Sequence, residues 1–308
     1  MRRPLILLSL GLALLLVAGV LVGSKLYLKQ LNNEPVALTE LPSPDADSPE
    51  CAALVDSLPD KLAGHRRARL AEPAPAGAAV WQSSSAERVT LRCGVAAPLQ
   101  FTELTATEKM GGAEWMKVTD PTPGSNLATW FTVDRFPVVA VTADAASPNG
   151  GDAPVSDLDV SSLTETDPAP GKAPLAELET SISGELSDVC RELVAAVPDE
   201  LADGYGRLDI SGVDGLGDNA AAWGADGRDP VVLKCGVAPP PSYEAGAQLT
   251  QINNVPWFEE TTHDEAAPTT VLYALGRATE IVVSVPMGAS DSALTKISDA
   301  ISQTVPEQ

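Results

Sequence analysis

Histidine is almost missing from this chain: His65 and His263 are the two among 308 residues. They fall at unrelated places in the repeat described below, so a His-based mechanism shared by its copies has no support. Both read as ordinary surface side chains. Signature motifs of catalysis are missing as well. There is no G-x-S-x-G, no S-x-x-K, no H-E-x-x-H and no glycine-rich phosphate cradle after a strand, which removes the usual signals of serine hydrolases, penicillin-binding enzymes and zinc peptidases. Cys and His are not clustered at ligand spacing, so a zinc site is excluded. Positive charge is scarce too, with 20 Lys and Arg against 42 Asp and Glu. Arg2, Arg3, Lys25 and Lys29 all precede Glu34, the first acidic residue, which leaves 16 basic against 42 acidic residues beyond them, a net charge of −26. Such a surface repels phosphate backbones and anionic headgroups, so nucleic-acid binding is excluded and peripheral membrane docking is disfavoured.

What is present begins with a run of 19 uncharged residues, 4–22. At ~1.5 Å per residue it is long enough to cross a hydrocarbon core of ~30 Å, and it is expected to sit in the lipid bilayer. Arg2 and Arg3 before it set the orientation by a small margin, N-terminus in the cytoplasm and everything after residue 24 outside. A cleaved signal peptide and a secreted product is the alternative, although no A-x-A site follows the run. With so little chain inside, the protein is not expected to pass a signal inward by itself. Abundant Ala, Gly, Pro, Val and Asp suit a high-GC bacterial genome.

The exported part is an internal repeat. CAALVDSLPDKLA at 51–63 matches CRELVAAVPDELA at 190–202, and VTLRCGVA at 89–96 matches VVLKCGVA at 231–238. Trp81 lies 12 residues before Cys93 as Trp223 does before Cys235, and Trp115 lies 22 after Cys93 as Trp257 does after Cys235. Residues 48–163 therefore match 187–302, with two residues inserted.

Within one unit, Cys51, Leu54, Val55, Leu58 and Leu62 make a helical stripe, repeated by Cys190, Leu193, Val194, Val197 and Leu201. Ser48 and Ser187 are the expected N-caps, Pro59 and Pro198 interrupt the helix, and Asp60 and Asp199 are expected to cap a short turn. Apolar alternation at Val89, Leu91, Cys93 and Val95, and at Val231, Leu233, Cys235 and Val237, predicts a half-buried strand. Gly111-Gly112 and Asn253-Asn254 predict two-residue hairpin turns. Residues 130–133 with 137–142, and 271–275 with 280–285, read as a second strand pair. Leu294, Ile297 and Ile301 predict a closing helix, with a weaker counterpart at 158–163. The expected fold is α+β: two tandem copies of a small domain, each an antiparallel sheet of about four or five strands flanked by two helices, after one transmembrane helix. Residues 1–23 form the anchor, 24–47 a tether, 48–163 the first domain, 164–182 a Pro-rich linker and 183–308 the second domain.

In an exported chain the repeat predicts the disulfides Cys51–Cys93 and Cys190–Cys235, each closing a long loop. The candidate ligand-binding residues are those shared by both copies. Trp81, Trp115, Trp223 and Trp257 could stack on a sugar or peptide, or fill the core against the disulfide. Arg135 and Arg277, at the second hairpin turn, could hold a carboxylate or phosphate, or be exposed turn residues. The acidic, glycine-rich stretch 209–218 departs from calcium-loop spacing and is read as a solvated loop. Among the carboxylates no pair stands out as catalytic, and no metal or other cofactor is implied.

The combination of L-P-D-x-L after a Cys, Ala222-Trp223-Gly224, VVLKCGV at 231–237, V-P-W at 255–257 and Gly276-Arg277 resembles the actinobacterial family called domain of unknown function 3515. The first copy is looser, with Gln82 after its Trp and Asp134 before Arg135. The resemblance implies an exported envelope protein, usually with one such domain, and carries over no activity, ligand or catalytic residue. The function expected is a non-enzymatic envelope module, anchored at the cell membrane, that binds a protein or cell-wall ligand or acts as a scaffold. The alternative is an accessory or catalytic factor in cell-wall polymer metabolism.

Overall fold

A computed structural model of the chain describes residues 11–24, 35–84, 87–122, 124–144, 153–182, 184–261 and 269–308. Residues 11–24 are helical with exposed side chains, Leu12, Leu15 and Leu21 among them. Among the described residues no helix is long and apolar enough to cross a membrane. The start of the expected span, residues 4–10, lies outside them.

The first repeat opens with α1 (Pro49–Ser57). Its strands are β1 (Lys61–Leu62), β2 (His65–Arg67), β3 (Ala78–Gln82), β4 (Arg88–Cys93), β5 (Thr107–Met110), β6 (Ala113–Thr119), β7 (Leu127–Thr132), β8 (Arg135–Phe136), β9 (Val139–Asp144) and β10 (Thr164–Glu165). The second has α2 (Glu185–Ala196), then β11 (Glu200–Ala202), β12 (Tyr205–Arg207), β13 (Ala220–Ala225), β14 (Arg228–Val237), β15 (Thr250–Ile252), β16 (Val255–Glu260), β17 (Thr269–Ala274) and β18 (Glu280–Pro286), and closes with α3 (Ser290–Thr304). The sheets run β1-β2-β3-β4-β9-β7-β6-β5 and β11-β12-β13-β14-β18-β17-β16-β15, antiparallel throughout. Each repeat is thus two four-strand meanders joined at their central strands.

Each sheet has eight strands rather than four or five. The extra ones include the hairpins β1–β2 and β11–β12, too short at two or three residues to show an alternation in sequence. They account for the second half of the apparent helical stripe. Pro59 ends α1 early, and Leu62 is buried from β1 instead. Ser48 does cap α1, its hydroxyl accepting from the Cys51 N–H at 3.2 Å. Ser187 does not cap α2; Gly184 is the N-cap and Ser187 lies inside the helix. Both predicted turns form, closing β5–β6 at Gly111-Gly112 and β15–β16 at Asn253-Asn254.

The α1 face of the first sheet gathers Leu54, Trp81, Leu91, Trp115, Trp130 and Val141 into one core, and the second repeat does the same beneath α2 and α3. The counterpart expected at 158–163 is no helix. A 3-10 turn at Pro154–Asp157, which buries Val155, leads into irregular chain that buries Leu158, Val160 and Leu163. The reason is local: Pro154 and the Val, Ser and Asp residues of 155–162 have little helix preference.

The opposite faces are crossed by segments that composition marks as tether and linker. Val36 bridges to Leu70, Asp45 N–H donates to Gly94 O at 3.1 Å, and Arg92 reaches Thr39 O at 2.7 Å. In the second repeat Ala173 and Ala176 pack on Ala222 and Val232, and Ser181 N–H donates to Gly236 O at 2.8 Å. Gly94 and Gly236, each following a strand Cys, leave room for this strap. A Cβ on either would lie 2.3 Å from the nearest strap atom, and both have positive φ. Lys234, the counterpart of Arg92, is buried beneath the strap, donating to the carbonyls of Leu175, Leu178 and Gly215. Burial holds its ammonium below the usual lysine range. Residues 35–47 and 173–182 are therefore parts of the two folded units rather than free spacers.

Candidate functional site

The disulfides Cys51–Cys93 and Cys190–Cys235 are formed, with Cα–Cα distances of 5.5 and 5.6 Å, and tie α1 to β4 and α2 to β14. All four candidate tryptophans lie in the cores, at most 1% exposed. The indole N–H of Trp81 donates to Pro59 O at 2.8 Å and that of Trp223 to Pro198 O at 2.9 Å, so each satisfies the carbonyl of the helix-ending proline. Trp115 donates to Met110 O, whereas Trp257 donates to the Ser298 hydroxyl on α3.

The arginines brace hairpins. Arg135 donates to Gly112 O at 2.6 Å and Arg277 to Asn254 O at 2.7 Å, joining the two turns of each second meander. Arg277 is buried rather than an exposed turn residue, and also reaches Val305 O. Asp134 and Glu165 flank Arg135, and Glu307 flanks Arg277. The structure does not bring these six residues together; it distributes them through two cores and two turns.

A further matched pair was not singled out from the sequence. Arg67 donates to Leu58 O and Val55 O, and Arg207 to Val197 O and Val194 O, covering carbonyls that the ends of α1 and α2 leave without helical partners. Arg207 also stacks 5.2 Å from the Trp223 ring centroid. Alignment of GHRR with GYGR after allowing one inserted residue, Asp203, would have found them. His65 is buried, not a surface side chain, and its Nδ1 lies 2.8 Å from Ser83 Oγ. Tyr205, at the same place in β12, donates to Asp229 O, and burial pushes its hydroxyl pKa up to about 12. Both residues tie their strand to the next hairpin. His263 lies outside the described residues, and Asp209, in the glycine-rich stretch, accepts from the Ser211 N–H.

A cleft of about 870 Å³ lies between the repeats. Its floor is the helix-side face of the first sheet, including Val89, Trp115, Trp130 and Ala143; the hairpins β11–β12 and β13–β14 of the second repeat form the opposite wall. Among the described residues, Glu87, Glu108, Asp144, Asp157, Asp226 and Asp229 supply six carboxylates, against three cationic side chains, Arg88, Lys117 and Arg228. Burial raises the Asp229 carboxyl. Among the described residues no group of acidic, His or Cys side chains could hold a metal ion.

The repeats meet at one end of this cleft. Thr119 N–H donates to Gly227 O at 2.7 Å and Lys117 pairs with Asp226 at 2.6 Å. Asp226-Gly227 is the two-residue turn of β13–β14, a hairpin signal legible in the sequence. A Cβ on Gly227 would lie 2.7 Å from Thr119 Cγ2, and its φ is +66°. Gly227→Ala is expected to lose about 1–2 kcal/mol of stability and to uncouple the repeats. Calorimetry should then resolve two melting transitions where the parent shows one; an unchanged single transition refutes the coupling.

No curated protein and no solved structure matches this chain. The family described as "Protein of unknown function (DUF3515)" matches residues 10–170 and again 162–308. Two matches that together run from residue 10 to the last residue, on the two disulfide-closed units just described, make this chain a tandem member of that family.

Proposed function

We propose that the chain is an exported, membrane-anchored and non-catalytic module of the cell envelope, which uses its two repeats to hold a protein or cell-wall ligand. The observation that carries this reading is the pair of disulfide-closed repeats fastened to each other around a cleft. Disulfides persist in oxidising compartments outside the cytosol. The uncharged run at 4–22, with Arg2 and Arg3 before it, supports an anchor in the lipid bilayer with both repeats outside. The Trp and Arg side chains common to both copies serve the fold, which leaves the cleft as the surface for a ligand. Two units in tandem favour a scaffold.

The test is topology in intact cells. Protease added from outside should remove both repeats from the full chain, and thiol-reactive polyethylene glycol should modify it only after reduction. A protected chain with four reactive thiols would overturn the reading.

A further inference from the structure

The second repeat carries at the start of β14 a peptide bond that the first lacks, Asp229–Pro230. The pairing of β13 with β14 passes from Trp223↔Val231 to Ala225↔Arg228, so Asp229 and Pro230 together oppose the single residue Gly224. This is a β-bulge, a feature enriched beside reactive centres, and the bond in question is the one inside it. Pro230 has no N–H to give the ladder, and the carbonyl of Asp229 accepts from a side chain, the Tyr205 hydroxyl, at 3.2 Å. Tyr205 is 1% exposed, and the Arg228 guanidinium lies 5.9 Å from its ring centroid. In the first repeat Glu87 and Arg88 stand at the corresponding places, the β3–β4 register runs unbroken through Gln82↔Arg88, and His65 replaces Tyr205.

We propose that Asp229–Pro230 is a self-cleavage site, at which the Asp229 carboxyl attacks its own main-chain carbonyl and the Tyr205 hydroxyl stabilises the oxyanion that forms. A side-chain oxygen of Asp229 bonds to the carbonyl carbon and the C–N bond to Pro230 breaks. The carboxyl proton goes to the departing nitrogen, which leaves as a secondary amine. Water then opens the cyclic anhydride at residue 229, so that Asp229 becomes a new C-terminus and Pro230 a new N-terminus. One water is consumed and nothing is oxidised or reduced. Asp229 is half-buried, so water reaches the anhydride. A hydroxyl that already donates to the carbonyl needs little movement to donate to the anion. Burial, which raises the Asp229 carboxyl, favours the acid form that supplies the proton, and cleavage therefore quickens as pH falls. The charged neighbours are Arg228, beside Tyr205, and Asp226, which Lys117 pairs. Cys190 and Cys235 lie on opposite sides of the bond, so residues 1–229 and 230–308 stay joined after cleavage. The new C-terminus lies just beyond Gly227, so cleavage severs from β14 the turn that fastens the two repeats.

Incubation of the full chain in detergent and mildly acidic buffer, with intact mass measured before and after reduction, tests this. Reduction should release fragments 1–229 and 230–308, whose masses sum to that of the parent plus one water. Asp120–Pro121 and Asp167–Pro168 in the same chain report the acid lability common to such bonds. Cleavage at Asp229–Pro230 should exceed that at either by at least about tenfold, and urea should erase the difference by dispersing the bulge and Tyr205. Tyr205→Phe should slow cleavage by about tenfold or more, and Asp229→Ala should abolish it. A chain that stays intact, equal cleavage at all three bonds, a preference that survives urea, or an undiminished rate in folded Tyr205→Phe overturns the assignment. The urea comparison needs no variant and decides the matter even if Tyr205→Phe fails to fold.

Discussion

Replacing Cys190 and Cys235 together by Ala is expected to remove about 4 kcal/mol from the stability of the second repeat. The bond spans 45 residues, and opening a loop of that length returns that much chain entropy to the unfolded state. Both cysteines are fully buried, so the substitution also leaves two small gaps beneath α2. Urea unfolding followed by circular dichroism should show the loss as a transition moved to lower denaturant, while the first repeat keeps its own bond between Cys51 and Cys93. A change below about 1 kcal/mol would mean that the helix–strand packing holds without the staple. The result bears on function, because a fold that depends on oxidation is one suited to assembly outside the cytosol.

A second large effect is expected at Trp223. Trp223→Ala should cost about 3–5 kcal/mol, since the ring is fully buried in the core of the second repeat. Trp223→Phe keeps most of the ring but leaves Pro198 O, at the end of α2, without its donor, and should cost about 1–3 kcal/mol. Denaturant titration of the two variants separates packing from the hydrogen bond. If Phe proves as costly as Ala, the hydrogen bond and not the packing dominates. The same pair separates fold from ligand binding. A tryptophan that stacks on a ligand leaves stability nearly unchanged when removed, whereas one that closes a core does not.

The candidate residues divide along that line. The repeat singled out Trp81, Trp115, Trp223, Trp257, Arg135 and Arg277 because both copies share them, and sharing is what a common fold demands before it is what a common site demands. Arg67 and Arg207 escaped the same comparison because Asp203 shifts the spacing by one. The cleft escaped it for a deeper reason: it lies where the copies differ. The second repeat closes with α3, whereas Pro154–Asp157 of the first form a 3-10 turn, and the Asp226-Gly227 turn of one repeat fastens onto the last residues of β6 in the other.

Much was decided locally and was legible for that reason. The repeat, the pairing of the cysteines, the helix starting at Ser48, the two hairpin turns, the central strands and the helix after residue 289 depend on spacing, on alternation and on residues that tolerate positive φ. What only the tertiary structure decided depends on contacts between segments distant in the chain. The two-residue strands exist because a sheet edge completes their hydrogen bonds, and a stretch without apolar periodicity such as 173–182 becomes ordered because an apolar sheet face and the Lys234 ammonium lie beneath it. The cleft exists because the β11–β12 and β13–β14 hairpins of the second repeat stand opposite the first sheet. No periodicity encodes these outcomes, because each is set by whichever surface the rest of the chain leaves to be covered.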